Sequence, residues 1–301
     1  MALKILKSAE PLEVKNIVVA IYSNPGIGKT TLGFTGDAAL LLDFDGGAYR
    51  AGNRGDTVQI TAWEDAANIT AEDLADYNTV VVDTAGRALD FLTTDIIRRN
   101  PKLGRGAALT LQGYGALKSE FTSWLKSLRT MGKDVVLIAH SSEDKNGDYL
   151  IERLDVQGGS KQEIYKSADA MGRIQLINGK RVLNFSPTDT AFGKNPGNLS
   201  PLPVPDIATE KNFLADVIST IKGNLNSLSA EQLKRQGMIA DWQATISECK
   251  TAEEFNAQIA TVAKADKSIV QVVKGMLHKA ATDSGLQYDA KKKAYFTPEA
   301  A

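Results

Sequence analysis

Nine consecutive residues, Ser23-Asn24-Pro25-Gly26-Ile27-Gly28-Lys29-Thr30-Thr31, carry the densest chemistry in the chain. They follow the apolar run Ile17-Val18-Val19-Ala20-Ile21, which has the pattern of a buried strand, and they lead into a helix start. Gly26 and Gly28 let the backbone curl so that successive N–H groups face one point, and the helix adds its positive end. Polyphosphate suits such a nest. Lys29 can then meet the β- and γ-phosphates as a point charge, and the Thr30 hydroxyl can complete a magnesium shell of water and phosphate oxygen. The usual form is G-x-x-x-x-G-K-[ST]. Here Ser23 replaces the first glycine, which the turn accepts if its φ stays negative. All of Ser23 to Thr31 are therefore nucleotide-binding candidates, with ATP and Mg2+ as the expected cofactors.

Two further runs end in acids. Thr79-Val80-Val81-Val82-Asp83 is an apolar strand closing on a carboxylate, the form of a Walker B segment, so Asp83 joins Thr30 as a candidate for holding the metal through its water shell. Ala39-Leu40-Leu41-Leu42-Asp43 continues into Phe44-Asp45-Gly46-Gly47. Asp43 and Asp45 stand two apart on an extended backbone and so share a side. Either they cap the glycine turn, or Asp45 serves as the base that orients water against the γ-phosphate. His140 closes a fourth run, Asp134-Val135-Val136-Leu137-Ile138-Ala139, where a γ-phosphate sensor would sit, although a lone histidine at a strand end serves structure as often.

These strands, separated by helical stretches, predict an α/β fold with a mostly parallel sheet covered on both faces. Shorter strands are expected at Ala168–Gln175 and Arg181–Phe185, joined by a hairpin turn at Asn178-Gly179. Leu117, Phe121, Trp124, Leu125 and Leu128 recur at helical spacing and read as a core-facing stripe. The run Ser200-Pro201-Leu202-Pro203-Val204-Pro205 reads as an extended linker, giving domains 1–205 and 206–301. Beyond it four amphipathic helices are expected: Phe213 to Ile221, one around Trp242 and Ile246, Phe255 to Val262, and Ile269 to Leu277. Thr251 to Glu254 has capping-box spacing, and Gly285 is a helix stop. A basic tail from Tyr288 to Phe296 closes the chain.

The 301 residues are 43% hydrophobic and 24% charged with a net charge of −1, so any nucleic-acid surface must be local. One cysteine, Cys249, leaves no intrachain disulfide, and His140 and His278 have no metal spacing. Met1 to Lys7 lacks the apolar core of a signal peptide, and no run is long enough to span a bilayer. The expectation is a cytoplasmic protein without membrane partners.

The order of these motifs resembles the RecA-like P-loop ATPases. Gly113-Tyr114-Gly115 leading a helix into Val136-Leu137-Ile138-Ala139-His140-Ser141 is similar to phage-encoded AAA-domain nucleotide-binding proteins, including the Sak-type single-strand annealing recombinases. The resemblance covers roughly residues 12 to 205 and implies a RecA-like P-loop NTPase core followed by a small C-terminal helical domain. It implies ATP-dependent recombination in the host cytoplasm on single-stranded DNA, by a homo-oligomeric ring or filament with ATP between protomers. In that family a glutamate usually stands where Asp45 does, so the shorter side chain implies slow hydrolysis. Lys194, with Arg181 behind it, is the candidate for a cation supplied to the neighbouring protomer's site. Two basic stretches stand where such proteins carry DNA-binding loops: Arg98, Arg99, Lys102 and Arg105 in one, Lys145, Arg153 and Lys161 in the other. Ordinary solvated loops have the same composition. A single-strand-binding protein or another replication protein is a candidate partner. The alternatives are a partner-directed ATPase such as a helicase loader and, more remotely, a small-molecule kinase.

Overall fold

A computed structural model describes residues 10–146, 149–156, 160–206 and 210–298; the side chains of residues 146, 149, 160 and 161 lie outside that description. The N-terminal segment read for a signal peptide, Gly147, and the side chains of Tyr149 and Lys161 thus fall outside the described residues. The strands are β1 (Val18–Ser23), β2 (Ala39–Asp43), β3 (Thr57–Gln59), β4 (Thr79–Asp83), β5 (Gly104–Arg105), β6 (Ala108–Leu109), β7 (Asp134–Asn146), β8 (Tyr149–Leu154), β9 (Ala170–Ile177), β10 (Lys180–Asn184), β11 (Leu202–Pro203), β12 (Gln287–Asp289) and β13 (Ala294–Phe296). The helices are α1 (Lys29–Gly33), α2 (Trp63–Ala67), α3 (Ala85–Arg99), α4 (Leu111–Thr130), α5 (Ser160–Ser167), α6 (Phe213–Glu248), α7 (Ala252–Val262) and α8 (Val270–Asp283).

The principal sheet runs β11-β10-β9-β1-β7-β4-β2-β3. The six strands from β9 to β3 are mutually parallel, and β10 and β11 add an antiparallel edge. Side chains alternate across the pleat. Val18, Ala20 and Tyr22 face one core with Trp63, Phe121 and Trp124, while Ile17, Val19 and Ile21 face the other with Leu32, Leu214 and Ile218. The continuous apolar runs follow from this burial on both faces. The stripe Leu117, Phe121, Trp124, Leu125 and Leu128 is buried as expected, and Trp124 donates its indole N–H to Ala66 O at 3.0 Å. Asn178 and Gly179 adopt φ of 51° and 75° and close the β9–β10 hairpin as expected.

The proline run is not a linker. Leu202 and Pro203 pair with Leu183 and Val182 as the edge strand β11, where a missing proline N–H is tolerated. The helix beginning at Phe213 is one element to Glu248, so the helices expected around Ile221 and Trp242 are a single helix. Its first residues complete the α/β core: Thr35 accepts the Leu214 N–H at 3.1 Å and the Ala215 N–H at 3.0 Å, and Leu214, Val217, Ile218 and Ile221 are buried against the sheet. The compact units accordingly divide at 225/226 rather than at 205/206, with Val14–Leu225 as one and Asn226 onward in the other.

In that second unit Ile246, Phe255, Val262, Val273, Leu277 and Tyr295 form a separate core. Thr251 and Glu254 make the expected capping box, and Gly285 stops α8 at φ 80°. The basic tail is the β12–β13 hairpin with its lysines at the turn. No helix among the described residues is long and apolar enough to cross a membrane.

Truncation tests the division. A chain ended after Leu225 should unfold cooperatively, whereas one ended after Pro205 strips the α6 residues from the sheet and should lose its sharp thermal transition. Equal melting behaviour of the two would contradict it.

Candidate nucleotide site

The parallel strands β1, β4 and β2 end level with His140 within β7, and the chemistry gathers there. Ser23 lies opposite His140, and Asp43 lies opposite Asp83. The left-handed positions of the loop are Gly26 (φ 79°) and Gly28 (φ 91°), and Ser23 is not among them, so the serine causes no backbone strain. Its side chain is used instead. Lys29 Nζ donates to Ser23 O at 3.0 Å, to Ser23 Oγ at 3.3 Å and to Asn24 O at 3.0 Å. Asn24 is held in turn by Ser141, whose hydroxyl donates to Asn24 Oδ1 at 2.6 Å.

The Lys29 side chain is buried, and burial pushes its ammonium down to about 8 against an ordinary 10.5, opposed by the charges of Asp83 and Asp45. Asp83 is pushed above the usual carboxylate range, first by burial and then by Asp43 and Asp45, while the Thr30 hydroxyl, donating to Asp83 Oδ2 at 2.6 Å, draws it down. His140 is held below the ordinary imidazole value by burial and by the Lys29 charge, and its buried Nδ1 has no hydrogen-bond partner among the described residues.

The two neighbouring acids have divided their work. Asp43 accepts the Gly47 and Ala48 N–H groups, both at 3.0 Å, and so caps the glycine turn. Asp45 stays at the site because the Phe44 and Asp45 N–H groups donate to Asp83 O at 2.8 and 3.2 Å, folding the chain over the end of β4. Its carboxylate faces Arg87 at 3.5 Å and Arg50 at 3.6 Å. Arg87, in the first turn of α3, escaped the sequence reading; an arginine three residues after Thr84 was its signal.

These residues fit a magnesium nucleotide. The Lys29 ammonium is buried against neutral carbonyls and needs an anion, and Thr30 with Asp83 supplies the hydroxyl and carboxylate that magnesium uses alongside phosphate and water. No cluster of three or more His, Cys, Asp or Glu among the described residues could cage a metal without such help.

The other expected residues are placed differently. Lys194 is engaged within its own chain: its ammonium donates to Ala168 O at 2.7 Å, just before β9 and so at the opposite end of the sheet from the loop. Arg98 and Arg99 are tied into an acidic network, Arg98 to Glu64 and to Asp95 at 2.5 Å, Arg99 to Asp95 at 2.7 Å and Glu120 at 2.6 Å. Arg153 pairs with Asp144 at 3.1 Å and lies over the Phe192 ring. Lys102, Arg105 and Lys145 are solvent-exposed.

The family described as AAA domain matches residues 15–196, more than half of the chain. The chain belongs to the AAA-domain family. The match covers the phosphate loop, both acid-bearing strands and His140, and it ends before α6 and the helical unit. As an AAA-domain protein it has the fold of a P-loop ATPase. No curated protein significantly matches the sequence.

The depressed Lys29 gives a pH signature. Between about 8 and 10.5 the unfolded chain binds more protons than the folded one, so the stability gained here is fully present above 10.5 and is lost as pH falls through 8. Thermal melts of the ligand-free protein should rise across this window, and Lys29→Met should flatten the rise. Parallel curves for the two proteins would contradict the burial of that charge.

Proposed function

We propose that the protein is an ATP-dependent DNA-recombination protein that binds single-stranded DNA and uses nucleotide turnover to switch that binding. The observation that carries this reading is the continuity of β7. The strand passes beside the phosphate loop at His140 and runs without a break to Asn146, returning as β8. A change at the γ-phosphate therefore has a stiff path to an exposed hairpin that bears Lys145. Lys102 and Arg105, on and beside the β5–β6 hairpin, add exposed charge. Because Arg98, Arg99 and Arg153 already have carboxylate partners, few contacts are expected, each steepening the salt dependence by about 0.7 on single strands.

Within the site Lys29 holds the β- and γ-phosphates, and Thr30 and Asp83 hold magnesium, which screens the developing phosphate charge when bound. Asp45 accepts a hydrogen bond from the attacking water and orients it, with Arg87 and Arg50 fixing the carboxylate. The short aspartate reaches about one methylene less far than glutamate, so turnover is slow. ATP lies between protomers in this reading, with a neighbour supplying a cation other than Lys194.

Asp45→Asn should bind ATP as tightly as the wild type while hydrolysis falls by about a hundredfold or more, and Asp45→Glu should hydrolyse faster; unchanged turnover in both would move the water-orienting role elsewhere. For the DNA reading, ATP and magnesium should enhance binding of a single-stranded oligonucleotide at low salt, and Lys145→Ala combined with Lys102→Ala should weaken it. Absence of ATP-enhanced binding, with capture of a replication protein by residues 226–298, would favour the helicase-loader reading instead.

A further inference from the structure

Arg181 follows the Asn178-Gly179 turn on β10, and its guanidinium lies against the phosphate loop of its own chain. A Cβ built on Gly28 would stand 2.7 Å from Arg181 Nη1. The group is half-buried, yet its contacts are two long hydrogen bonds to neutral carbonyls: Nη1 to Ile27 O at 3.4 Å and Nη2 to Pro205 O at 3.3 Å. It has no carboxylate ion pair among the described residues. A guanidinium offers five donors in a planar fork suited to phosphate, and here most of them are unused. A half-buried guanidinium held against the phosphate loop by neutral carbonyls alone is an arrangement that a bound polyphosphate would relieve.

The sheet order says which phosphate. Asp83, Asp45 and His140 stand on the β7, β4 and β2 side of β1, around the reacting end of the nucleotide, whereas β10 lies beyond β9 on the other side. We propose that Arg181 is a nucleotide-binding residue of its own chain that grips the phosphate next to the ribose, rather than a cation lent to a neighbouring protomer. ADP and ATP share that phosphate, so Arg181 contributes to the affinity of both and not to the chemical step. This rests on the nucleotide reading of the loop alone and not on DNA.

Calorimetric titration of ADP and of ATP into the full chain with magnesium tests it, alongside steady-state hydrolysis. Arg181→Gln keeps N–H donors for the Ile27 and Pro205 carbonyls but removes the charge. It should lose about tenfold or more in affinity for ADP and ATP alike, with kcat nearly unchanged, while Arg181→Lys recovers part of the loss. A merely structural arginine would leave Arg181→Gln with wild-type ADP affinity, and a residue serving the neighbour would lose kcat with ADP affinity intact; either result overturns the inference. If the wild type itself fails to bind ADP, the nucleotide site falls with it.

Discussion

A buried ammonium whose hydrogen bonds all go to neutral oxygens is the constraint on which this structure turns. Lys29 is removed from water, solvated by two backbone carbonyls and the Ser23 hydroxyl, and close enough to Asp83 and Asp45 to feel their charge. Neutral carbonyls offset only part of the desolvation cost of a charge, and the remainder is strain that polyphosphate relieves. The loop is thus held ready for its ligand by its own electrostatics, and the Ser141–Asn24 bond ties it to β7, the strand that carries His140.

The sheet converts that local demand into a site. Parallel strands bring their carboxyl ends to one edge, so residues far apart in sequence meet there without long loops to position them. The bond from Asp45 N–H to Asp83 O then sets one acid over another, and Asp43 is spent on the glycine turn while the Asp45 carboxylate is not. The same sheet order puts Asp83, Asp45 and His140 on one side of β1 and Arg181, on β10, on the other.

The sequence was most informative where one physical demand fixes residue type. The phosphate loop, the acid-ended strands and the stripe through Trp124 could be read directly, because burial on both faces and a curled N–H nest leave few choices. The proline run misled because Pro203 tolerates a sheet edge as well as a linker, and only pairing partners distant in the chain decide between them. The first α6 residues were assigned to the wrong domain for a related reason: an amphipathic stripe shows that a helix face is buried, not against what. The charges of Arg98, Arg99 and Arg153 were visible, and so was Asp95 three and four residues before the two arginines on α3, but Glu64, Glu120 and Asp144 were not, since those pairs form across the fold or between strands. Arg87 was passed over because its role depends on where Asp45 is turned.

Nitrogen-detected magnetic resonance of the Lys29 ammonium, titrated without nucleotide and again with magnesium and ADP, reaches the heart of the matter. The free protein should titrate near 8 and the complex well above it, as phosphate oxygens replace carbonyls around the charge. A Lys29 that titrates near 10.5 in the free protein and does not move when nucleotide is added would contradict the account.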